Sequence, residues 1–466
     1  MAQQIKTKVL IVGGGMGGYV CAIRLGQLGI EHTLVEADRL GGTCLIRGCI
    51  PSKAMIHAAT KFETVAKAAD GGTLGITAAQ PAIDLAKTVA WKDGVVAKLN
   101  GGVTGLLKRA KTRVLHGWAS FTDAKTATVK TADGEVTVQA ETVVLAQGSL
   151  PVELPFLPFG GRVISSTEAL DLREVPRHLV VVGAGYIGLE LGIAFRKLGA
   201  EVTVVEALDR ILPLYDKALT DPVRKWLEKH GVALHLGAKA KGMSANGEAL
   251  LIDDKGGQEL SLPADRVLVT VGRKPATEGW GLENMAVDMD GRFVKVDDRC
   301  RTSMSGVYAV GDLVGEPMLA HKSAAQGEMV AEIIAGHDRR FDPVTVAAVC
   351  FTEPEVVSAG LLPSDVEGRD DVLTAVFPLQ AIGRALAIEA GDDGGFCRVI
   401  ARKDDHRLLG VQAVGQHVSE LSNEFALALE MGAVLEDIQG VIHVHPTLGE
   451  SFHEAVLRAL GHPIHI

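Results

Sequence analysis

Two cysteines, Cys44 and Cys49, stand in the segment Gly41-Gly42-Thr43-Cys44-Leu45-Ile46-Arg47-Gly48-Cys49-Ile50-Pro51-Ser52-Lys53. On a regular helix side chains at this spacing point roughly 140° apart. Bringing the sulfurs together therefore needs a distorted turn, which Gly48 makes possible. Pro51 suits the first turn of a helix that Lys53 to Ala59 continue. Cys49 would then lie near a helix N-terminus with Lys53 close by, a setting that lowers a thiol pKa and supplies thiolate for disulfide exchange. Three other readings stay open. Zinc would want two further ligands at short spacing, and none is nearby, so no metal is expected. A structural disulfide is disfavoured in a reducing compartment, and two unlinked core cysteines are the third possibility.

The elements around this pair come from a repeat. Residues 9–37 read VLIVGGGMGGYVCAIRLGQLGIEHTLVEA, and residues 179–207 read LVVVGAGYIGLELGIAFRKLGAEVTVVEA. The copies align without a gap at an offset of 170, so Gly13, Gly15, Gly18 and Glu36 fall on Gly183, Gly185, Gly188 and Glu206. Each copy predicts a buried parallel strand, a glycine turn, a helix and a second strand. Ile23 and Leu28, like Ile193 and Leu198, are expected to face the sheet, and Gly29 and Gly199 to end the helices. The first glycine permits the tight turn, the second lets backbone approach a pyrophosphate, and the third lets helix pack on strand. The helix N-terminus then offers free N–H groups to phosphate. Glu36 and Glu206 end the second strands, where a carboxylate can accept ribose hydroxyls. Two dinucleotides are therefore expected, against the plainer alternative of two strand–helix turns that bind nothing. Glu206 would repel a 2′-phosphate and Ala207, Leu208 and Asp209 follow it, which favours NAD over NADP at the second site; Arg210 is the nearest cation.

After each unit the residues alternate in polarity with turn signals: Trp118–Val138 with Asp133-Gly134, and roughly 232–262 with Lys255-Gly256-Gly257. Each stretch closes on an apolar strand, at 142–148 and 266–272. From about 345 the character changes to short β-like runs, Val372–Phe377, Phe396–Ala401 and Leu408–Ala413, followed by helical stretches at Ser419–Met431 and from about 450. The expected fold class is α/β, with two doubly wound nucleotide-binding domains carrying antiparallel inserts and a C-terminal α+β domain. The expected limits are 1–150, 151–275, 276–345 and 346–466. A net charge of −10 over 466 residues argues against nucleic-acid or polybasic membrane surfaces. Six cysteines with no pairing pattern beyond Cys44 and Cys49, and no apolar span long enough to cross a bilayer, point to a cytoplasmic protein.

The chain resembles the pyridine nucleotide–disulfide oxidoreductases over essentially its whole length. GGTC-x4-GCIPSK at 41–53 is similar to that family's redox-active disulfide motif, and TSMSGVYAVGD at 302–312 to its second flavin motif. The resemblance implies FAD on the first fingerprint and NAD on the second, with Asp312 holding the ribityl chain. It extends the cofactor-binding set to Gly42, Thr43, Lys53, Gly148, Gly272 and Gly311, and, through MLAHK at 318–322, to Leu319 and Ala320. His443-Val444-His445-Pro446-Thr447-Leu448-Gly449-Glu450 resembles the family's histidine–glutamate pair. That implies His445 as acid/base and Glu450 as its orienting carboxylate, used across a homodimer interface; His443 reads as a packed residue. Dithiol exchange needs such a base, and imidazole titrates in the useful range. The C-terminal pattern is nearest to members that oxidise dihydrolipoyl groups with NAD+, which implies a lipoyl-bearing acyltransferase of a 2-oxo acid dehydrogenase complex as partner. Reductases acting on glutathione or mercuric ion, and a non-catalytic nucleotide-binding subunit, are the alternatives. Tyr186 reads equally as a flavin shield or a packed aromatic. Ile46, Arg47, Met16 and Gln147 depart from the family pattern, and Arg47 is expected to add a cation beside the thiols.

Overall fold

The computed structural model describes residues 3–72, 74–391 and 393–466. The run Gln3–Val12 is central in the first sheet; its end, residues 9–12, is buried on both faces, with Leu10 and Ile11 fully enclosed, while Gln3, Gln4, Lys6 and Lys8 are exposed. It pairs in parallel with His32–Glu36 on one side and Gly134–Leu145 on the other, bringing Val12 level with both Val35 and Leu145. The helix Met16–Gln27 makes the crossover, burying Cys21, Ala22 and Leu25; Ile23 and Leu28 are only half-buried. Gly29 ends it at φ 72°.

The second sheet repeats the plan. His178–Val182 lies between Glu201–Glu206 and Arg266–Val269, all parallel, with the helix Tyr186–Lys197 as crossover. Here Ile193 and Leu198 are buried as the spacing predicts, and Gly199 follows at φ 104°. Ala233–Leu236, expected in the antiparallel insert, instead extends this parallel sheet beside Glu201–Glu206. The insert is the three-stranded meander of residues 239–263, turning at 254–258. In the first unit the hairpin turns one residue earlier than expected, because Thr131 pairs Gly134 and leaves Ala132 and Asp133 as the loop.

The C-terminal sheet is five-stranded and antiparallel, in the order 348–350, 355–360, 408–415, 396–402, 372–378. Its core includes Phe377, Phe425 and Phe452, the last two edge-to-face with centroids 5.0 Å apart. Helices Ser422–Glu430 and Glu450–Ala459 cover it.

Three links fix the parts relative to one another. Val307–Ala309 returns to the first sheet beside Gly134–Leu145. Ser149–Pro151 pairs antiparallel with Arg273–Pro275, joining the exits of the two nucleotide units. The helices Cys49–Ala69 and Tyr186–Lys197 carry two charged pins: Lys53 Nζ lies 2.7 Å from Glu190 Oε2, and Lys197 Nζ lies 3.3 Å from both Thr60 Oγ1 and Glu63 Oε2. The 350–353 segment completes each pin, by the Phe351 N–H on Glu190 and by Glu353 on Lys197.

Candidate functional site

The thiols sit where two helices fail to join. Gly42–Arg47 and Cys49–Ala69 are separate because Gly48 takes φ −132°, ψ −107° between them. A Cβ there would stand 2.8 Å from Thr43 O, so glycine is needed for the break. The break brings Cys44 and Cys49 into hydrogen-bond contact as free thiols, Cys49 the more exposed. Hydrogen bonding from Cys44 lowers the Cys49 pKa to about 7, with Lys53 and the Cys49 N–H acting in the same direction against burial. Cys44, which keeps the shared proton and is itself buried, is raised. Lys53 reaches this position from the next helical turn, held by Glu190 and stacked 4.3 Å above the Phe351 ring.

Both cysteines border a cleft of about 610 Å³ that runs along the first fingerprint. Gly13, Gly15, Glu36, Gly42, Thr43, Lys53, Gly148, Gly311, Asp312 and Ala320 all line it; Leu319 does not, its neighbour Met318 taking that place. Gly13 adopts φ 101° and Gly42 φ 60°, and a Cβ on Gly42 would come within 2.5 Å of the Gly15 Cα. The two glycine backbones thus pack directly on each other, with no room for a side chain on Gly42. Gly18 lies behind this contact, where a Cβ would meet Gly13 O at 1.8 Å. Glu36 accepts from the Gly14 N–H at 2.6 Å and the Asp38 N–H at 2.8 Å, and its burial raises its pKa.

The second fingerprint reproduces this geometry. Gly183 has the same φ of 101°, a Cβ on Gly188 would stand 2.4 Å from Gly183 O, and Glu206 accepts from the Ala184 N–H at 2.7 Å and the Leu208 N–H at 2.8 Å. Space is open around Gly185. Gly272, at φ 124°, follows the exit strand of this unit. Arg210 donates to the Pro213 carbonyl. Tyr186 opens the helix at the rim of the first cleft, part-exposed, its hydroxyl pKa raised by burial.

His445 Nδ1 lies 2.8 Å from Glu450 Oε1, and Glu450 Oε2 accepts the Thr447 N–H at 2.9 Å. Burial alone would raise the Glu450 pKa, but these bonds outweigh it and the carboxyl sits low. The ring is therefore steered through one nitrogen while Nε2 faces out. Neither residue borders the cleft within the same chain. His443 is packed, bonded to Glu424 at 3.1 Å and stacked on His453 at 4.7 Å. Among the described residues no group of His, Cys, Asp or Glu is arranged to hold a metal ion.

Arg47 lines the same cleft as the two cysteines, but its guanidinium pairs with Asp38, just past the end of His32–Glu36, and it is not among the groups that shift either thiol. Several site residues escaped sequence reasoning. Glu190 was visible as the one acid in an otherwise apolar turn, while Ser149 and Arg273 had no local signal. Gln147 borders the cleft with both amide atoms buried and unpartnered.

The cradle fits the cofactor that the motifs imply. The glycine turn at Gly13 and Gly15 with Gly42 packed on it, the N-terminus of the helix Met16–Gln27 and the Glu36 carboxylate all border the cleft and match the backbone, phosphate and ribose needs of a dinucleotide.

Comparison with known proteins agrees with this geometry. Residues 7–327 match the pyridine nucleotide-disulphide oxidoreductase family and residues 346–456 match that family's dimerisation domain. A dihydrolipoyl dehydrogenase from Pseudomonas aeruginosa is 57% identical, with 100% of each chain aligned. One from Geobacillus stearothermophilus is 44% identical over 99% of this chain and 98% of its own. Among solved structures, LpdA from Mycobacterium tuberculosis superposes with a TM-score of 0.88 at 27% identity, covering 97% of this chain and 99% of that one. The HOCl-induced flavoprotein disulfide reductase RclA from Escherichia coli does so at 0.85 and 25%, covering 96% and 99%. With a fingerprint in each nucleotide unit, a thiol pair on the wall of the first and a dimerisation domain at its end, this chain belongs to the pyridine nucleotide-disulphide oxidoreductase family.

Proposed function

We propose that the chain is a dihydrolipoyl dehydrogenase, oxidising protein-bound dihydrolipoyl groups to lipoyl and passing the electrons to NAD+. The observation that carries the reading is the acidified Cys49, hydrogen-bonded to Cys44 and facing a dinucleotide-shaped cleft beside Lys53. The names of the full-length relatives support the substrate.

In the oxidised enzyme Cys44 and Cys49 form a disulfide. His445 Nε2 takes the proton of one dihydrolipoyl thiol as its sulfur attacks the Cys44 sulfur; the Cys44–Cys49 bond breaks, Cys49 leaves as thiolate, and Glu450 steadies the imidazolium. The second lipoyl sulfur then displaces Cys44, closing the lipoyl ring and leaving a Cys44 thiol and a Cys49 thiolate. FAD bound in the first cleft would carry the electron pair between this dithiol and NAD+. Gly13, Gly15, Gly42, Glu36 and Asp312 would hold it, and Gly183, Gly185, Gly188 and Glu206 would hold NAD. Ala207, Leu208 and Asp209 follow Glu206 and Arg210 donates to the Pro213 carbonyl, which supports NAD over NADP. His445 lies off the cleft of its own chain, which supports an active site shared between two subunits of a homodimer. The lipoyl group would arrive on the acyltransferase of a 2-oxo acid dehydrogenase complex. We also propose domain limits of 1–150, 151–275, 276–345 and 346–466.

Steady-state assay of the yellow protein tests this. Dihydrolipoamide with NAD+ should turn over far faster than glutathione or NADPH; the reverse preference, or a colourless protein that takes up no FAD, would overturn it.

A further inference from the structure

Asp312 reaches the cleft with one carboxylate oxygen already committed. Ser149 is buried, and its hydroxyl donates to Asp312 Oδ2. A hydroxyl has one proton, so once that is given to Asp312 its Oγ can only accept. What it accepts is the Arg273 Nε–H at 2.8 Å, while Arg273 Nη2 donates to the Ser149 carbonyl at 2.7 Å. The two-pronged grip leaves the serine no alternative orientation. No described residue donates to Asp312 Oδ1, so that oxygen remains free on the cleft side.

The origin of the three residues gives the arrangement its meaning. Ser149 follows the exit strand of the first nucleotide unit and Arg273 that of the second, each one residue beyond a glycine of positive φ, Gly148 at 74° and Gly272 at 124°. Both start strands of the antiparallel ribbon that joins the units, where Ser149 is level with Pro275 and Arg273 with Pro151, and the Arg273 side chain reaches back along the ribbon to Ser149. Arg273 is thus carried by the second unit but points into the first cleft, where burial works against its charge and the Asp312 carboxylate compensates.

Building on the FAD reading above, we propose that Arg273 and Ser149 are positioning residues that hold Asp312 toward the ribityl hydroxyls of the flavin. Retention of the flavin then depends on how the second nucleotide unit is seated. Asp312 remains the contact; the other two act only through it. A hydrogen bond to a charged group, once lost, frees the carboxylate to rotate away from its ligand.

The test is FAD titration of apoprotein, read by flavin fluorescence, with the melting temperature of the FAD-free protein as a control for folding. Ser149→Ala should weaken FAD binding by roughly tenfold or more, and Arg273→Gln should do so comparably, with apoprotein melting close to wild type. In an Asp312→Asn background, where the acceptor charge is gone, Ser149→Ala should add little. An unchanged affinity in Ser149→Ala and Arg273→Gln, or an equal loss in the Asp312→Asn background, would overturn the proposal. Wild-type apoprotein that takes up no FAD would instead overturn the function on which the proposal rests.

Discussion

Cys49 owes its acidity to the Cys44 thiol, to Lys53 and to its own N–H at the start of a helix. Because the folded pKa is depressed, the thiolate exists above about pH 7 and is lost as pH falls through that value. The reduced enzyme should therefore show an ultraviolet thiolate absorbance with a midpoint near 7, and Lys53→Met should move that midpoint up, toward an ordinary thiol. A titration that Lys53→Met leaves in place would detach the lysine from the chemistry. Arg47 behaves differently, since Asp38 already neutralises it. Arg47→Val should leave the Cys49 midpoint unchanged, and a displaced midpoint would show that the cation reaches the thiols after all. The contrast marks what was legible. Lys53 lies one helical turn from Cys49, so its effect could be read from local spacing. The partner of Arg47 lies across the end of a strand, and local spacing said nothing about it.

Between elements, one close constraint at the cleft is the contact of Gly15 with Gly42. Gly42→Ala would place a methyl 2.5 Å from the Gly15 Cα at a backbone φ of 60°. The two backbones would have to part, so we expect apoprotein that folds with reduced Tm and binds FAD poorly; normal flavin content would contradict that. Lys197 is a second case. It is buried against Glu63, Glu353 and Thr60, and Lys197→Met would leave Glu353 without its cation while Glu63 keeps Lys67. Breaking a buried ion pair from one side costs about 3–5 kcal/mol, so a clear fall in denaturant midpoint is expected. The paired fingerprints were readable because strand, glycines, helix and acid lie within one short window. The pins between helices were not. Lys53 and Glu190, like Thr60 and Lys197, are 137 residues apart, and only the packing of two helices brings them together. Ala233–Leu236 was misassigned for a related reason: a short half-buried strand reads alike in a parallel edge and a meander.

For the molecule as a whole, the C-terminal part leaves an apolar surface uncovered. Leu427, Met431, Val441, Ile442, Val444 and Ile464 are all exposed, Ile442 at 95%, and they flank His445 along the sequence. Scattered exposed apolar residues are ordinary, but several close in sequence to the proposed acid/base histidine, most of them in the dimerisation domain, suit a subunit contact. Ile442→Glu should yield monomers in sedimentation that keep their flavin and lose dihydrolipoamide oxidation. Active monomers would refute the shared site. Mixing Cys44→Ser with His445→Gln subunits should likewise restore part of the activity that neither variant has alone. The dimer contact was implied by the family likeness and not by any periodicity in these residues.

The two pins along one pair of helices carry a last consequence. Helices tied at successive stretches, with the 350–353 segment closing each tie, cannot swing apart like the jaws of a clamshell. On the proposed function, a nicotinamide arriving at the rim would then have to be admitted by side chains, and Tyr186, exposed at the first turn of the second fingerprint helix, borders that rim.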